Sequence, residues 1–370
     1  MNKLFLRRGL FVLIVLVWLA VIATPAHADS LANDLMGVTD ARLIYPHIDG
    51  VDDLTGQVQR VAIIDTGIDF DHPALDGRVV AGINYAANAK WGSSAAVDYN
   101  DGHGHGTFVA GVIGGNSSRV NGVAPSVEFI AIRALSNDGT GSFNDVARGL
   151  EWVANNADAY NITAVNVSIG TDSTYAVEAG VPFWSIYDRI ENALGTLESL
   201  DIVTSVASGN SGSSTGLSVP AIYDESLAVG ASTFSDTLYG NTNRSAELEL
   251  LAPGSGIYST WKDGGHRYGS GTSYASPMVA GLSVLLRETY LQFTDDLAGG
   301  YDSFQDRVVD LLQQTGTPIL DGASGLTFFR PNLDAAISSI YLEHGVYVPE
   351  PTSLAMLVFG GMIVARRRKR

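Results

Sequence analysis

Four polar residues, spread over more than two hundred positions of this 370-residue sequence, have types that together fit one kind of chemistry. They are Asp65 in IIDTGID, His105 in HGHGTFVAG, Asn210 in ASGNSG and Ser273 in GTSYASPMVAG. Acyl transfer by a hydroxyl needs a nucleophile, a base for its proton, a carboxylate that fixes the tautomer of the base, and donors for the developing oxyanion. Ser273, His105, Asp65 and Asn210 supply one group for each role. Each alone has a plainer reading. An Asp-Thr-Gly segment also serves aspartic proteases, but that chemistry shares a proton between two such carboxylates, and the chain has one copy. His103 and His105, helped by Asp101, could hold a metal, Asn210 could shape a turn, and Ser273 could cap a helix. With no cysteine in the chain, thiol nucleophiles, thiolate metal sites and disulfides are excluded.

The elements around these residues are those of an α/β protein. Continuous apolar runs at Val61–Ile64, Phe129–Ile132, Ala164–Val167, Ile202–Val206 and Leu227–Val229 read as strands covered on both faces. Helical patterns separate or follow them over Phe143–Asn156, Trp184–Ser199 and Ser273–Leu291, and a small-residue helix is expected over Gly106–Gly114. Such alternation predicts one doubly wound, mostly parallel sheet, with chemistry beyond the carboxyl ends of its strands. Residues 29–60 show a mixed pattern with no clear strand and are read as a short N-terminal extension to a domain spanning 61–342.

Asp, His and Ser follow one another here in the order of the subtilisin-type arrangement. Further segments agree with that family: IDFDHPAL (Ile68–Leu75), GVAP (Gly122–Pro125), NVSIG (Asn166–Gly170), VGAS (Val229–Ser232), LAPGSGIYST (Leu251–Thr260) and LDAAI (Leu333–Ile337). From Val61 to about Ile340 the chain therefore resembles the subtilases, subtilisin-like serine proteases. The resemblance implies a three-layer α/β sandwich and an endopeptidase in which Asp65, His105 and Ser273 form the triad. It implies an oxyanion hole made by the Asn210 amide and the Ser273 backbone N–H. It also assigns Ser168, Ile169 and Gly170 to one wall of the substrate cleft, with Ala207, Ser208 and Gly209 opposite, so that protein or peptide substrates bind as extended main chain. Competing readings are an inactive surface or matrix binding protein with the same fold, and an esterase or transpeptidase using the same acyl-enzyme.

Three features bear on how such a domain would work. Pro277 lies four residues after Ser273, where it lacks an N–H and would crowd the Ser273 carbonyl; the Ser-x-x-x-Pro spacing belongs to the family motif and is read as shaping the first helical turn. Between Gly170 and Ile202, Tyr175, Phe183, Trp184 and Tyr187 could form an aromatic substrate rim or simply pack a helix on the sheet. No cofactor is required for the chemistry. Asp69, Asp71, Asp76, Asp98 and Asp101 offer hard oxygen ligands for a structural calcium, but no EF-hand spacing singles out a ligand set.

Both ends read as addresses. Residues 1–28 have a basic start, an apolar run from Leu10 to Ala23 and the small-x-small triplet Ala26-His27-Ala28, the pattern of a signal peptide for signal peptidase. Only 36 residues then precede Asp65, too few for the propeptide usual in secreted subtilases. Residues 343–370 contain Pro349-Glu350-Pro351, an apolar segment from Leu354 to Ala365 and the cluster Arg366–Arg370. This order resembles a PEP-CTERM sorting tail, which implies a transient membrane helix and processing by an exosortase-like enzyme on the way to the cell surface. Setting aside the eight basic residues of the two ends leaves 14 Lys and Arg against 39 Asp and Glu, a net charge of -25. Nucleic acid is excluded as a partner, because phosphate binding needs a clustered basic face.

Overall fold

The computed structural model describes residues 28–51, 55–86, 98–171, 173–175 and 185–347. In chain order the elements are helices α1 (Ala28–Leu35) and α2 (Val38–Ile44), strands β1 (Arg60–Asp65) and β2 (Val79–Asn84), and helix α3 (His105–Gly114). Strand β3 (Glu128–Arg133), helix α4 (Phe143–Tyr160), strand β4 (Ile162–Val167) and helix α5 (Ser185–Ser199) follow. Next come strands β5 (Val203–Ala207), β6 (Leu227–Ser232), β7 (Leu250–Pro253), β8 (Ile257–Trp261) and β9 (Gly265–Gly269). The chain continues through helices α6 (Thr272–Leu291) and α7 (Phe304–Thr315), strands β10 (Thr317–Leu320) and β11 (Thr327–Arg330), and helix α8 (Leu333–Glu343).

Nine strands form one sheet in the order β10-β11-β7-β6-β5-β4-β1-β3-β2. Every neighbouring pair is parallel except β10 with β11. The apolar runs are continuous because successive side chains enter different cores. Val61 and Ile63 pack with α3 and α6 on one face, whereas Ala62 and Ile64 pack with α4 and α5 on the other. Helix, sheet and helix thus make the expected three layers. β1 lies between β3 and β4, with β2 and β3 on one side and β4 to β7 on the other, the kind of switch point beyond whose carboxyl end ligands bind in α/β sheets.

The 29–60 extension holds α1 and α2, which were too short to show a periodicity. Gly37 turns between them at φ 67, and Met36, Val38, Ala41, Tyr45 and Ile48 enter the same core as α6. Arg42, whose burial pushes its guanidinium down to about 10, donates to the carbonyls of Gly122 and Val123. Among the described residues no helix is long and apolar enough to cross a membrane. The apolar runs Leu10–Ala23 and Leu354–Ala365 lie outside those residues, so the transmembrane helix expected of the tail has no counterpart among them.

Candidate active site

Asp65 ends β1, the strand whose last five residues are buried, and its side chain is fully buried. One of its oxygens accepts the Thr66 N–H at 2.7 Å. His105 begins α3, and its Nδ1 donates to both carboxylate oxygens of Asp65, at 2.8 and 2.9 Å. That approach needs two glycines. A Cβ on Gly106 would stand 2.1 Å from the Gly67 carbonyl, and one on Gly104 would stand 2.3 Å from the Trp261 ring; Gly104 also has φ 113, where side chains are strained.

Burial alone would lower the pKa of His105. The charges of Asp65 and Asp101, with the Asp65 hydrogen bond, more than reverse this and hold it above the ordinary histidine value. Asp101 is itself buried and anchors the loop. It accepts from Thr66 Oγ1, the backbone N–H of His103, Gly104 and Thr107, and Thr107 Oγ1, at 2.6 to 2.9 Å. His103 and His105 have ring centroids 6.4 Å apart, and among the described residues no three His, Asp or Glu side chains converge on a metal position. Asp101 is a loop anchor with both oxygens committed.

Ser273 is the second residue of α6. Its Oγ donates to the Ser168 carbonyl at 3.3 Å rather than to His105; the bond between a nucleophile and its base often forms or tightens only when substrate is bound. Its backbone N–H belongs to the first turn, where helical donors lack intrahelical partners. Asn210 is solvent-exposed. Its Oδ1 accepts the Thr272 N–H at 2.9 Å and the Thr272 hydroxyl at 3.3 Å. A backbone N–H can only donate, so the amide oxygen is committed and Nδ2 is left for solvent or a bound group. Asp65 and His105 therefore pair where β1 ends and α3 begins, Asn210 and Ser273 lie at the first turn of α6, and Tyr274, next to Ser273, stands beside the His105 ring.

Ser168, Ile169 and Gly170 follow β4, and Ala207, Ser208 and Gly209 follow or end β5, with Val167 opposite Val206 in the parallel register. The second segment is internally bonded: Ser208 N–H donates to Val229 O, its carbonyl accepts from Ser218 N–H, and Gly209 N–H donates to Thr272 Oγ1 at 3.2 Å. Among the described residues none bonds the main chain of Ile169 or Gly170. Tyr187 is 6% exposed and meets Phe143 edge-on at 5.9 Å, so it packs α5 rather than lining a rim. Phe183 and Trp184 lie outside the described residues.

Sequence reasoning missed Thr272, which orients Asn210, and the aromatic surround of His105. Tyr274 lies 5.6 Å from the His105 ring and 4.3 Å from Phe108, and Trp261 lies 5.9 Å from His103. Position gives a partial signal for Tyr274, adjacent to Ser273, and none for Trp261, more than 150 residues from His105.

Residues 56–315 match the model of the subtilase family of peptidases. The chain belongs to that family. This subtilase is 35% identical over 237 residues to subtilisin BL of Lederbergia lenta, a match covering 64% of the chain and 78% of that protein. It is equally identical over 233 residues to the thermophilic serine proteinase of Bacillus sp. (strain AK1), covering 62% of the chain and about half, 52%, of the relative. A solved structure of a cold-adapted subtilisin-like serine proteinase superposes with a TM-score of 0.58 at 29% identity, covering 78% of this chain and 90% of the other. By family this subtilase is a serine-type endopeptidase.

Proposed function

We propose that this subtilase is an exported endopeptidase that cleaves proteins or peptides through an acyl-enzyme on Ser273. The Asp65–His105 pair carries the reading. A buried carboxylate holding Nδ1 at 2.8 and 2.9 Å leaves Nε2 as the imidazole atom that exchanges protons. The Ser273 hydroxyl attacks the scissile carbonyl carbon while Nε2 takes its proton. Asp65 holds the resulting imidazolium, and Asn210 Nδ2 with the Ser273 N–H receives the oxyanion. Collapse breaks the C–N bond and His105 returns the proton to the leaving amine. Water, activated by the same imidazole, then attacks the ester and releases the acid and free Ser273. No cofactor enters these steps.

The Ser168–Gly170 and Ala207–Gly209 segments wall the cleft in this reading, and the free main chain of Ile169 and Gly170 is the part able to pair with an extended substrate. Export rests on the 1–28 segment, removed by signal peptidase after Ala28. Sorting rests on 343–370, cut near Pro349–Pro351 by an exosortase-like enzyme after transient membrane association; intact mass of the released protein reads both ends. Casein digestion by the purified body, beside Ser273→Ala, tests the activity. Cleavage lost in the variant supports the reading, and a folded wild type that leaves casein intact favours a binding protein.

A further inference from the structure

Pro277 sits inside α6, four residues after Ser273, and has no N–H to give the Ser273 carbonyl. The nucleophile's own peptide oxygen is thus deprived of its helical partner. The Ser168 hydroxyl takes that place, donating to Ser273 O at 2.9 Å. Its direction is fixed from behind: Asn166 Nδ2 donates to Ser168 Oγ at 2.9 Å, so the hydroxyl hydrogen is free to point at Ser273. Asn166 Oδ1 in turn accepts from Ser276 Oγ at 2.8 Å. Ser276 Oγ lies 3.0 Å from Ser205 Oγ, which donates to the Ser276 carbonyl at 2.8 Å.

Asn166, Ser205 and Ser276 are 0% exposed and Ser168 is 5% exposed, so water does not compete for these bonds. The relay ties two adjacent strands, β4 and β5, to the first turn of α6. Ser168 closes it with a second contact, since its carbonyl accepts the Ser273 hydroxyl at 3.3 Å. Nucleophile backbone and nucleophile hydroxyl are both held by one residue.

Resting on the assignment of Ser273 as nucleophile, we propose that Ser168, oriented by Asn166 and Ser276, is the positioning residue of this subtilase and replaces the helical bond that Pro277 deletes. Loss of the Ser168 hydroxyl would let the Ser273 peptide rotate, moving both the attacking oxygen and the oxyanion-binding N–H. Misplacements near 1 Å cost about 100-fold in rate. A positioning defect lowers kcat and leaves ground-state binding alone.

The test uses the mature body, a chromogenic peptide substrate and active-enzyme concentrations from fluorophosphonate titration. Ser168→Ala is expected to lower kcat roughly 10- to 100-fold with KM within about twofold of wild type. Pro277→Ala restores an N–H opposite Ser273 O, so the double variant Ser168→Ala/Pro277→Ala is expected to regain most of that loss. A purely structural role would lower the melting temperature of both variants without this rescue. Unchanged kcat in folded Ser168→Ala, or a double variant no faster than the single one, overturns the proposal. Where Ser168→Ala does not fold, Ser276→Ala reads the same relay, with about a 3- to 10-fold loss of kcat expected and no change contradicting it. A wild type that neither turns over nor labels overturns the nucleophile assignment instead, and this proposal with it.

Discussion

Glu249, just before β7, gives a stability prediction whose size follows from its surroundings. Burial, and secondarily the charges of Asp306, Asp224 and Glu198, push its carboxyl from 4.5 up to about 8, against the opposing effect of the Ala228 N–H it accepts at 2.6 Å. A carboxyl raised in the folded state favours the fold while it stays protonated. Its contribution is therefore full below pH 4.5 and lost as pH rises through about 8. At 1.36 kcal/mol per pKa unit the ceiling is about 5 kcal/mol. Glu249 is only partly buried by surface area, and solvent screening brings the expectation to about 2 kcal/mol. Glu249→Gln removes the charge and keeps an oxygen for the Ala228 N–H. With roughly 300 folded residues, 2 kcal/mol corresponds to about 3 °C in melting temperature. Calorimetry at one scan rate, in a Ser273→Ala background that prevents self-digestion, should show the glutamine variant gaining about 3 °C on its parent between pH 4 and pH 9. An offset equal at both pH values would refute the argument.

Asp65→Asn should cost about 10⁴-fold in kcat, the size found for the triad aspartate of another serine protease. The residual activity should keep its acid limb to lower pH, because His105 loses the main influence holding its pKa up; an acid limb at the wild-type position would contradict the pairing. Asn210→Ala should reduce kcat 10²- to 10³-fold with little change in KM, the magnitude being that known for the oxyanion asparagine of a subtilisin; steady-state kinetics on one peptide substrate decides it. Arg244 and Asp321 form a buried ion pair at 2.7 Å that holds the Asp321 carboxyl well below the carboxylate range. Arg244→Met should cost about 3–5 kcal/mol near neutral pH, a melting shift of roughly 5–8 °C. The loss should shrink as pH falls below 3.8, where the unfolded chain takes up a proton that the paired Asp321 of the folded protein still excludes, so the pair's contribution fades in wild type.

The site was legible where chemistry and local structure coincide. Asp65 follows an apolar run that is β1, and His105 and Ser273 open helices that small residues and glycines announce. The carboxyl-end rule for parallel sheets brought them to one crevice before any distance was known. Elements without such patterning were not read. β2 is an edge strand, half-buried apart from exposed Val80 and buried Asn84, and the β8–β9 hairpin is a separate two-stranded unit beside the main sheet. Nor could the sequence show what Thr272, Asn166, Ser205 and Ser276 do. Each is a single polar letter whose partner lies distant in the chain, as with Ser276 and Asn166, 110 residues apart. Pro277 illustrates the limit: its spacing from Ser273 was visible, but the hydroxyl that compensates for it belongs to Ser168, just after β4 and more than a hundred residues away.

The most direct test of the central claim is site-resolved labelling. The mature body is treated with a fluorophosphonate, digested, and its peptides sequenced by mass spectrometry, with and without unfolding beforehand. The account predicts one adduct, on Ser273, formed by folded protein and abolished by prior unfolding or by His105→Ala. An adduct on another serine, or equal labelling of folded and unfolded chains, would contradict it.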